Sequence, residues 1–593
     1  MKTAHEWSAT LSQHKARPGV ELLTGRGGEP TLRVDEVLLH SQYKPREEAA
    51  RLVDSAELEP GRPVLVVGVG LGYHVAELLH RGFDVSAVEP DLSVATFAIQ
   101  NSLRDSSLLI GIGDTNAIGH SSAFRAIAAA RPQVFVHPPT ARLHPHYVDA
   151  VQSQLARARI ADRRLGVAVV GPMYGGSLPN AQYLARAFQR MGHRTLFVDN
   201  SAGWPLYEAF AGSVASKRAS SQLSGMVANM MSEWSYARVS EFAPNVCIVL
   251  AQAPVGNQWP LRLRKENIVT AYWFVENWRH MTYWSEIAPH YDCFFHIQPG
   301  EFEDKLTQAG CRRHAYVQTA CDPEVHCPVA LTAEERATYG CHVSFAGAGY
   351  RNRNMLFSGL TDYDFKIWGV EWSARELQRL VCKPDHRFTP EDFSKIVAGS
   401  AINLNLHSSA THDGVDPRCD AINPRVFEIA ACGGFQLCDP CVGLDALFDF
   451  EKELPVYRTL AELRGKIDYY LAHEDERLAI ALAARQRVLR EHTYEHRAQQ
   501  MLDTILEHFA DRIESKGIRA QRSVAEVADS VGRETPLGRY LSALPSDTPF
   551  TQEAINARVP LMGTALSYPE AVFAYLRELR SSAEQLLAEF ADD

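Results

Sequence analysis

Apolar residues in this chain cluster in short uninterrupted blocks, and the polar stretches between them carry apolar positions three and four apart. The first clear example is VLVVGVGLGYHVAELLHRGFDVSAVEPD, residues 64–91. An apolar run enters a glycine-rich turn, a helical pattern follows, and a second run ends in an acid. That order predicts the strand–turn–helix–strand opening of a nucleotide-binding βαβ unit. LLIGIGD and VFVHPP continue it. The same order returns in LGVAVVGPMYGGSLPNAQYLARAFQRMGHRTLFVD, residues 165–199, with further strands expected at NVCIVLAQ, IVTAYWFVE, YDCFFHIQ and RHAYVQTA. A third start follows the charged helix LTAEERATYG, at CHVSFAGAGYRNRNMLFSGL, and runs on through YDFKIWGV and AINLNLHSS.

Three such starts predict an α/β protein of doubly wound parallel sheets. The expected boundaries are 1–160, 161–334 and 335–511, followed by a strand-poor, polar helical extension over 512–593 with a break at PLGRYLSALPSDTPF. With 593 residues, 46% hydrophobic and 22% charged, the chain is long enough for several cores. The formal net charge of −11 excludes a general nucleic-acid or anionic-membrane surface and leaves room for a local basic pocket.

All eleven cysteines fall from Cys247 onward, inside apolar runs such as NVCIVL and IAACGG, which is the pattern of small buried residues in a reducing compartment. Cys438 and Cys441 have C-x-x-C spacing, but no second pair or His-x-His cluster follows, so no metal site is expected. The N-terminal stretch lacks the apolar core of a secretory signal, and no run reaches the roughly eighteen apolar residues of a membrane span. The expected location is the cytoplasm.

The densest candidate chemistry lies in INPRVFEIAACGGFQLCD, residues 422–439. Asn423 is placed to cap a short helix, Pro424 suits its first turn, and Gly433 suits its end. Free N–H groups at such an end, with Arg425 beside them, suit a phosphate. Glu428, one turn farther in, is then placed to accept hydrogen bonds from ribose hydroxyls. The competing reading is an ordinary pair between Glu428 and Arg425 at i, i+3. In FAGAGYRNR, residues 345–353, Gly347 and Gly349 let the backbone approach a ligand, while Arg351 and Arg353 can fork onto phosphate oxygens.

From CHVSFAGAGYRNR to HTYEHRAQQML the chain resembles the donor-binding half of the CgeB-like (spore maturation protein) glycosyltransferases, a group 1-type family of GT-B fold. NPRVFEIAACGGFQLCD, LAELRGKIDYYLAHEDER and REHTYEHR carry the likeness. The resemblance implies two facing Rossmann-like domains, a nucleotide diphosphate sugar as donor substrate, and no required metal or other cofactor. It gives Glu428 to the donor's ribose or sugar hydroxyls and Arg425 to the edge of the pocket. Asn423, Gly433 and Gly434 border it, and Gly347, Gly349, Arg351 and Arg353 flank the diphosphate. Many retaining relatives carry two glutamates separated by seven residues; here Asp420 stands in the first place, which leaves retention or inversion open.

The middle segment resembles the GT-B acceptor half, with Gly175 and Gly176 in the loop near acceptor and leaving phosphate. An ordinary strand-to-helix turn needs glycine too. Glu276, ending the apolar strand of AYWFVENWRHMTYW, is the candidate general base, with a buried aromatic cluster carrying one solvated acid as its alternative. In the first unit, Gly68, Gly70, Gly72 and Glu89 resemble the cofactor loop and ribose acid of Rossmann methyltransferases. Val66 stands where those enzymes carry an acid, and His137 where they carry an amide or acid. A non-catalytic, partner-binding role is therefore expected of this unit. LLHSQYKPREEAARLV and VLVVGVGLGYHVAELL also look like part of motility-associated-factor-type flagellin glycosyltransferases, implying a protein or cell-surface glycan acceptor. The helical tail is the candidate contact between copies of the chain. An S-adenosylmethionine-dependent methyltransferase and a non-enzymatic scaffold of GT-B fold are the rival function classes.

Overall fold

The computed structural model describes residues 1–593 apart from 12–13, 104–106, 120, 161–162, 385–386, 410, 518–522, 547, 549, 551–554, 556–565 and 577–593. Residues 1–517 form one compact unit and 518–593 a second.

The first unit contains three mainly parallel sheets. In the first sheet the order is Lys2–Thr3, Leu109–Ile112, Val85–Glu89, Val64–Val67, Gln133–Val136, with only the edge strand Lys2–Thr3 antiparallel. The second sheet runs Arg194–Val198, Gly166–Val170, Val246–Leu250, Val269–Phe274, Cys293–His296, His314–Tyr316, parallel throughout. The third runs Val381–Cys382, Phe365–Trp368, Cys341–Ala346, Ser400–Asn405, Gln436–Cys438, also parallel throughout. The apolar runs VLVV, GVAVV, VCIVL and VTAYWF are buried at every position, because helices cover both faces of a parallel sheet.

The parallel strands of each sheet begin at a central strand, build outward on one side, then cross to the other. The reversal lies next to Val64–Val67, Gly166–Val170 and Cys341–Ala346 respectively. At such a point the loops leaving the carboxyl ends of neighbouring strands diverge and open a crevice. The glycine loops noted in the sequence all occupy these positions.

The last helix of the unit, Tyr494–Lys516, leaves the third sheet and returns to the second. Arg497 donates to the carbonyls of Gln318 and Thr319, and Arg512 pairs with Asp292 and donates to the carbonyl of Ile268. Two Rossmann-like sheets in succession, closed by a helix that crosses back to the first of them, make the GT-B arrangement; the sheet of residues 2–136 precedes it. The same helix holds that preceding region too, through Ser153 Oγ on the carbonyl of Glu507 and the pairs Arg157–Asp503 and Arg159–Glu514.

The second unit contains helices Val524–Val531 and Pro536–Ser542, packed through Val524, Val527, Ala528 and Leu541. Ser523 and Glu526 cap the first of them reciprocally. The expected helical extension over 577–593 and most of 551–565 lies outside the described residues. No helix among the described residues is long and apolar enough to cross a membrane.

Candidate functional site

The crevice of the third sheet opens between the loops after Ala346 and Asn405. Arg353 bridges them from within: its guanidinium donates to the carbonyl of Leu406 at 2.8 and 3.0 Å and to that of Ala348 at 2.9 Å. Burial lowers it to about 10, and its donors are spent on backbone, so Arg353 shapes the loop instead of presenting charge to a ligand. Arg351 lies outside, paired at 2.8 Å with Asp413 while both side chains are more than half exposed. Neither arginine therefore reaches inward as the sequence suggests. Gly349 does sit at a close approach: a Cβ there would fall 2.5 Å from the carbonyl oxygen of Glu371.

The short helix is Arg425–Ala431, with Pro424 at the cap position and no side-chain cap bond. The expected Asn423 cap does not form, because the Asn423 amide turns back and donates to Asn405 Oδ1 at 2.9 Å, tying the helix entry to the strand end. Gly433, at φ +77°, ends the helix as expected. A Cβ on Gly434 would sit 2.3 Å from Val397 Cγ1, so this glycine serves helix packing.

Glu428 is 4% exposed, too buried to be a solvated surface acid. One carboxylate oxygen pairs with Arg425 and the other lies 3.7 Å from His326 Nε2. His326 stands edge-on to Tyr183 at 5.1 Å, and Tyr183 belongs to helix Ser177–Arg190 of the second sheet's half. Desolvation, then the Glu428 charge, pushes the Tyr183 phenol above its ordinary range; burial lowers His326, against the pull of Glu428. Glu428 therefore faces the junction between the two halves.

Helix Ser177–Arg190 connects this acid to the other candidates. It starts directly after Gly175 and Gly176, and Ser177 Oγ donates to Glu276 Oε1 at 2.6 Å; Gln252 Nε2 adds a second bond at 3.2 Å. Six residues later, about 9 Å along the axis, Tyr183 reaches the neighbourhood of Glu428. Burial raises the Glu276 carboxyl and the Ser177 bond opposes it. The glycine loop, Glu276 and Glu428 thus share one scaffold, with Gly175 at φ +103° admitting the tight turn.

Charge gathers around the same junction. Arg425 is about one-third exposed and lies over the rings of Phe388 and Phe393. Arg387 lies 5.1 Å over Tyr174 of the glycine loop, and Arg186, one turn past Tyr183, pairs with Asp322. The sequence reading passes over Tyr183, Arg186, His326 and Arg387. One signal was available: Asn180, Tyr183, Arg186 and Arg190 recur at three- and four-residue spacing along an otherwise apolar helix.

Asp420 is not a free acid. Its oxygens accept from Gln298 Nε2 and from Arg279 Nη1, both at 2.7 Å, so it clasps the third sheet's half to the second's.

The N-terminal crevice differs. Glu89 accepts from the N–H groups of Val69 and Asp91, and burial raises it to about 7. His40 Nε2 accepts from Leu71 N–H at 2.8 Å, and a Cβ on Gly70 would fall 2.5 Å from that same nitrogen. Gly68 is closed off by Thr140, 2.3 Å from its Cβ position, and Gly72 by Ser102 at 2.9 Å. His74 and His137 stack at 4.5 Å behind the loop. The space and the loop donors that a nucleoside cofactor would need are occupied by this chain's own side chains.

Residues 351–503 match the family model described as glycosyl transferase-like. The spore protein CgeB of Bacillus subtilis (strain 168) is 23% identical over 270 residues, 44% of this chain and 82% of that protein. Residues 351–503 are thus glycosyl transferase-like, and the chain is similar to CgeB. Among solved structures, the chain is similar to sucrose-phosphate synthase from Thermosynechococcus elongatus, at 12% identity over 59% of this chain and 100% of that one, with a TM-score of 0.43. It is also similar to Anabaena Alr3699/HepE, at 10% identity over 58% and 99%, with a TM-score of 0.40.

Proposed function

We propose that the protein transfers a sugar from a nucleotide diphosphate sugar to a hydroxyl or similar nucleophile on a protein, glycan or small-molecule acceptor. Glu428 would hold hydroxyls of the donor. The observation that carries this reading is the near-complete burial of Glu428 at the junction of the two halves, paired with Arg425 and facing Tyr183 and His326. A buried carboxylate is costly unless hydrogen-bonded, and hydroxyls of a bound donor supply such bonds.

In this mechanism Arg425 and Arg387, with Arg186 across the junction, neutralise the diphosphate as it leaves, which is the step where charge develops. Glu276, with its raised carboxyl, takes the acceptor proton if the reaction inverts. Ser177 orients it. The clasp of Asp420 on Arg279 and Gln298 keeps the halves together, limiting the water that would hydrolyse the donor. No catalytic metal enters the scheme, so after brief EDTA treatment added Mg2+ or Mn2+ leaves the rate unchanged.

Thermal melting against a panel of nucleoside diphosphates and their sugars tests the reading. A ligand at about a hundred times its Kd stabilises the native state by about 2.7 kcal/mol, and Glu428→Ala should remove that gain. Absence of any stabilising nucleotide, or stabilisation unchanged in Glu428→Ala, overturns it. Binding without donor turnover would favour the scaffold alternative.

A further inference from the structure

A second cluster of side chains includes Cys419, the neighbour of Asp420 in the chain. His407 follows strand Ser400–Asn405, Cys419 precedes Asp420, and Cys441 follows strand Gln436–Cys438. Their ligand atoms all lie within 4.8 Å of one another. His407 and Cys441 are buried and Cys419 half-buried. The Sγ atoms of Cys419 and Cys441 are 3.2 Å apart, too far for a disulfide near 2.05 Å and about half an ångström short of the roughly 3.8 Å between two ligands of a tetrahedral ion with bonds of about 2.3 Å, so the pair needs only a small opening to take one.

The histidine supplies the independent sign. His407 Nδ1 and backbone N–H both engage Asp439 Oδ1, at 2.7 and 2.8 Å, which fixes the ring's orientation and leaves Nε2 as the outward ligand. That Nε2 is buried with no hydrogen-bond partner. An orphaned buried ring nitrogen is costly. A carboxylate on one imidazole nitrogen with the other aimed at a soft-ligand cluster is the arrangement that orients metal-bound histidines.

We propose that His407 Nε2, Cys419 Sγ and Cys441 Sγ bind one zinc ion, with Asp439 orienting His407. Two thiolates and an imidazole favour zinc over magnesium or calcium, which take oxygen ligands. On binding, each thiol releases its proton to solvent as its sulfur–zinc bond forms, and the fourth tetrahedral position is left to solvent beside half-buried Cys419. The ion ties together three loops around the third sheet's crevice. It thereby fixes the segment carrying Asp420 and the entry to the Glu428 helix, as a positioning element that touches no substrate. The C-x-x-C pair misleads here: Cys438 bonds to the Asp439 carbonyl, and Cys441 pairs with a cysteine twenty-two residues upstream.

The test uses the full chain purified under reducing conditions, with zinc counted per chain and cobalt substituted for zinc. One equivalent of zinc is expected, and the cobalt form should show thiolate-to-cobalt charge-transfer bands, which the all-histidine cluster His40, His74 and His137 cannot produce. The double variant C419S/C441S, and separately His407→Gln, should lose the ion, while Cys327→Ser and Cys382→Ser keep it. Asp439→Asn keeps the ligands and should weaken zinc affinity by about 10- to 100-fold. Wild-type protein that takes up no zinc, a cobalt spectrum without charge transfer, zinc unchanged in C419S/C441S, or a Cys419–Cys441 disulfide in protein isolated without reductant would each overturn the proposal. None of these outcomes depends on nucleotide binding, so the proposed transfer reaction stands or falls separately.

Discussion

The crevices of the first and third sheets begin from one plan and end in opposite states. Both sheets reverse beside their first parallel strand, and both carry glycine loops at that point. In the first, His40, His137, Thr140 and Glu89 fill the space and consume the loop donors. In the third, Arg353 bridges the two loops through their carbonyls, and the crevice faces a junction supplied with Arg425, Arg186, Arg387 and Glu428. A Rossmann-like crevice is thus only an opportunity for a ligand. Whether it is a site depends on what the rest of the chain sends into it, and the antiparallel ribbon of strands Val20–Thr24, Pro30–Val34 and Val37–Leu38 leads straight into His40.

The sharpest way to break this contrast is Glu428→Ala. If the third crevice is the working one, transfer should fall a hundredfold to a thousandfold, about 3–4 kcal/mol in the barrier, as measured by donor consumption with acceptor present. Gly70→Ala in the first crevice should leave transfer intact while destabilising its own loop. The reverse pattern would exchange the roles of the two crevices.

A second effect follows from the filling of the first crevice. Burial holds His40 at about 3 and His74 at about 4, both neutral in the native state. The unfolded chain protonates such groups below 6.5, so the native state loses stability as pH falls from 6.5 toward those values. Glu89, raised to about 7, acts in the opposite sense: its contribution weakens as pH rises from 4.5 to about 7. His40→Gln keeps an acceptor for Leu71 N–H but removes one titrating ring. At pH 5 it should reduce the acid loss by on the order of 2 kcal/mol, read by hydrogen exchange in the loop 68–72.

These differences explain what the sequence disclosed and what it withheld. The three sheet starts were legible because apolar runs and glycine turns are local signals. Glu428 stood out because an acid inside VFEIAA contradicts its neighbours. Arg353 was misread, because its partner is a backbone carbonyl fifty-three residues away, and backbone leaves no mark on a sequence. Asp420 resembled a catalytic acid, and only the fold brings Arg279 to it across 141 positions. Filling of the first crevice was hidden likewise, since His40 and Gly70 belong to different elements. Residues that act through distant partners need the tertiary structure to be read.

Ser177→Ala sharpens the contrast from the acceptor side. Its hydroxyl lowers the Glu276 carboxyl against the burial that raises it. Glu276 must be ionised to accept a proton, so the rate should rise with pH through a value above the ordinary 4.5. Removing the hydroxyl should move that rise to still higher pH, with a cost of about 1 kcal/mol on the acid side and little at high pH. An unchanged acid limb in Ser177→Ala would remove Glu276 from the reaction.

The smallest effect is expected at Arg351, and it discriminates between the sequence reading and the geometry. Read from FAGAGYRNR alone, both arginines serve the diphosphate, and losing either should cost a large factor in rate. In the fold, Arg351 makes one exposed pair with Asp413, of a kind worth about 0–1 kcal/mol, while Arg425 faces Glu428. Arg351→Ala should therefore change the rate by less than about twofold and leave the melting temperature nearly unmoved, whereas Arg425→Ala should raise the KM for the donor. If Arg351→Ala proved the more damaging, the diphosphate would lie over the glycine loop after Ala346, away from Arg425, and Glu428 would be too far along the helix to hold its ribose.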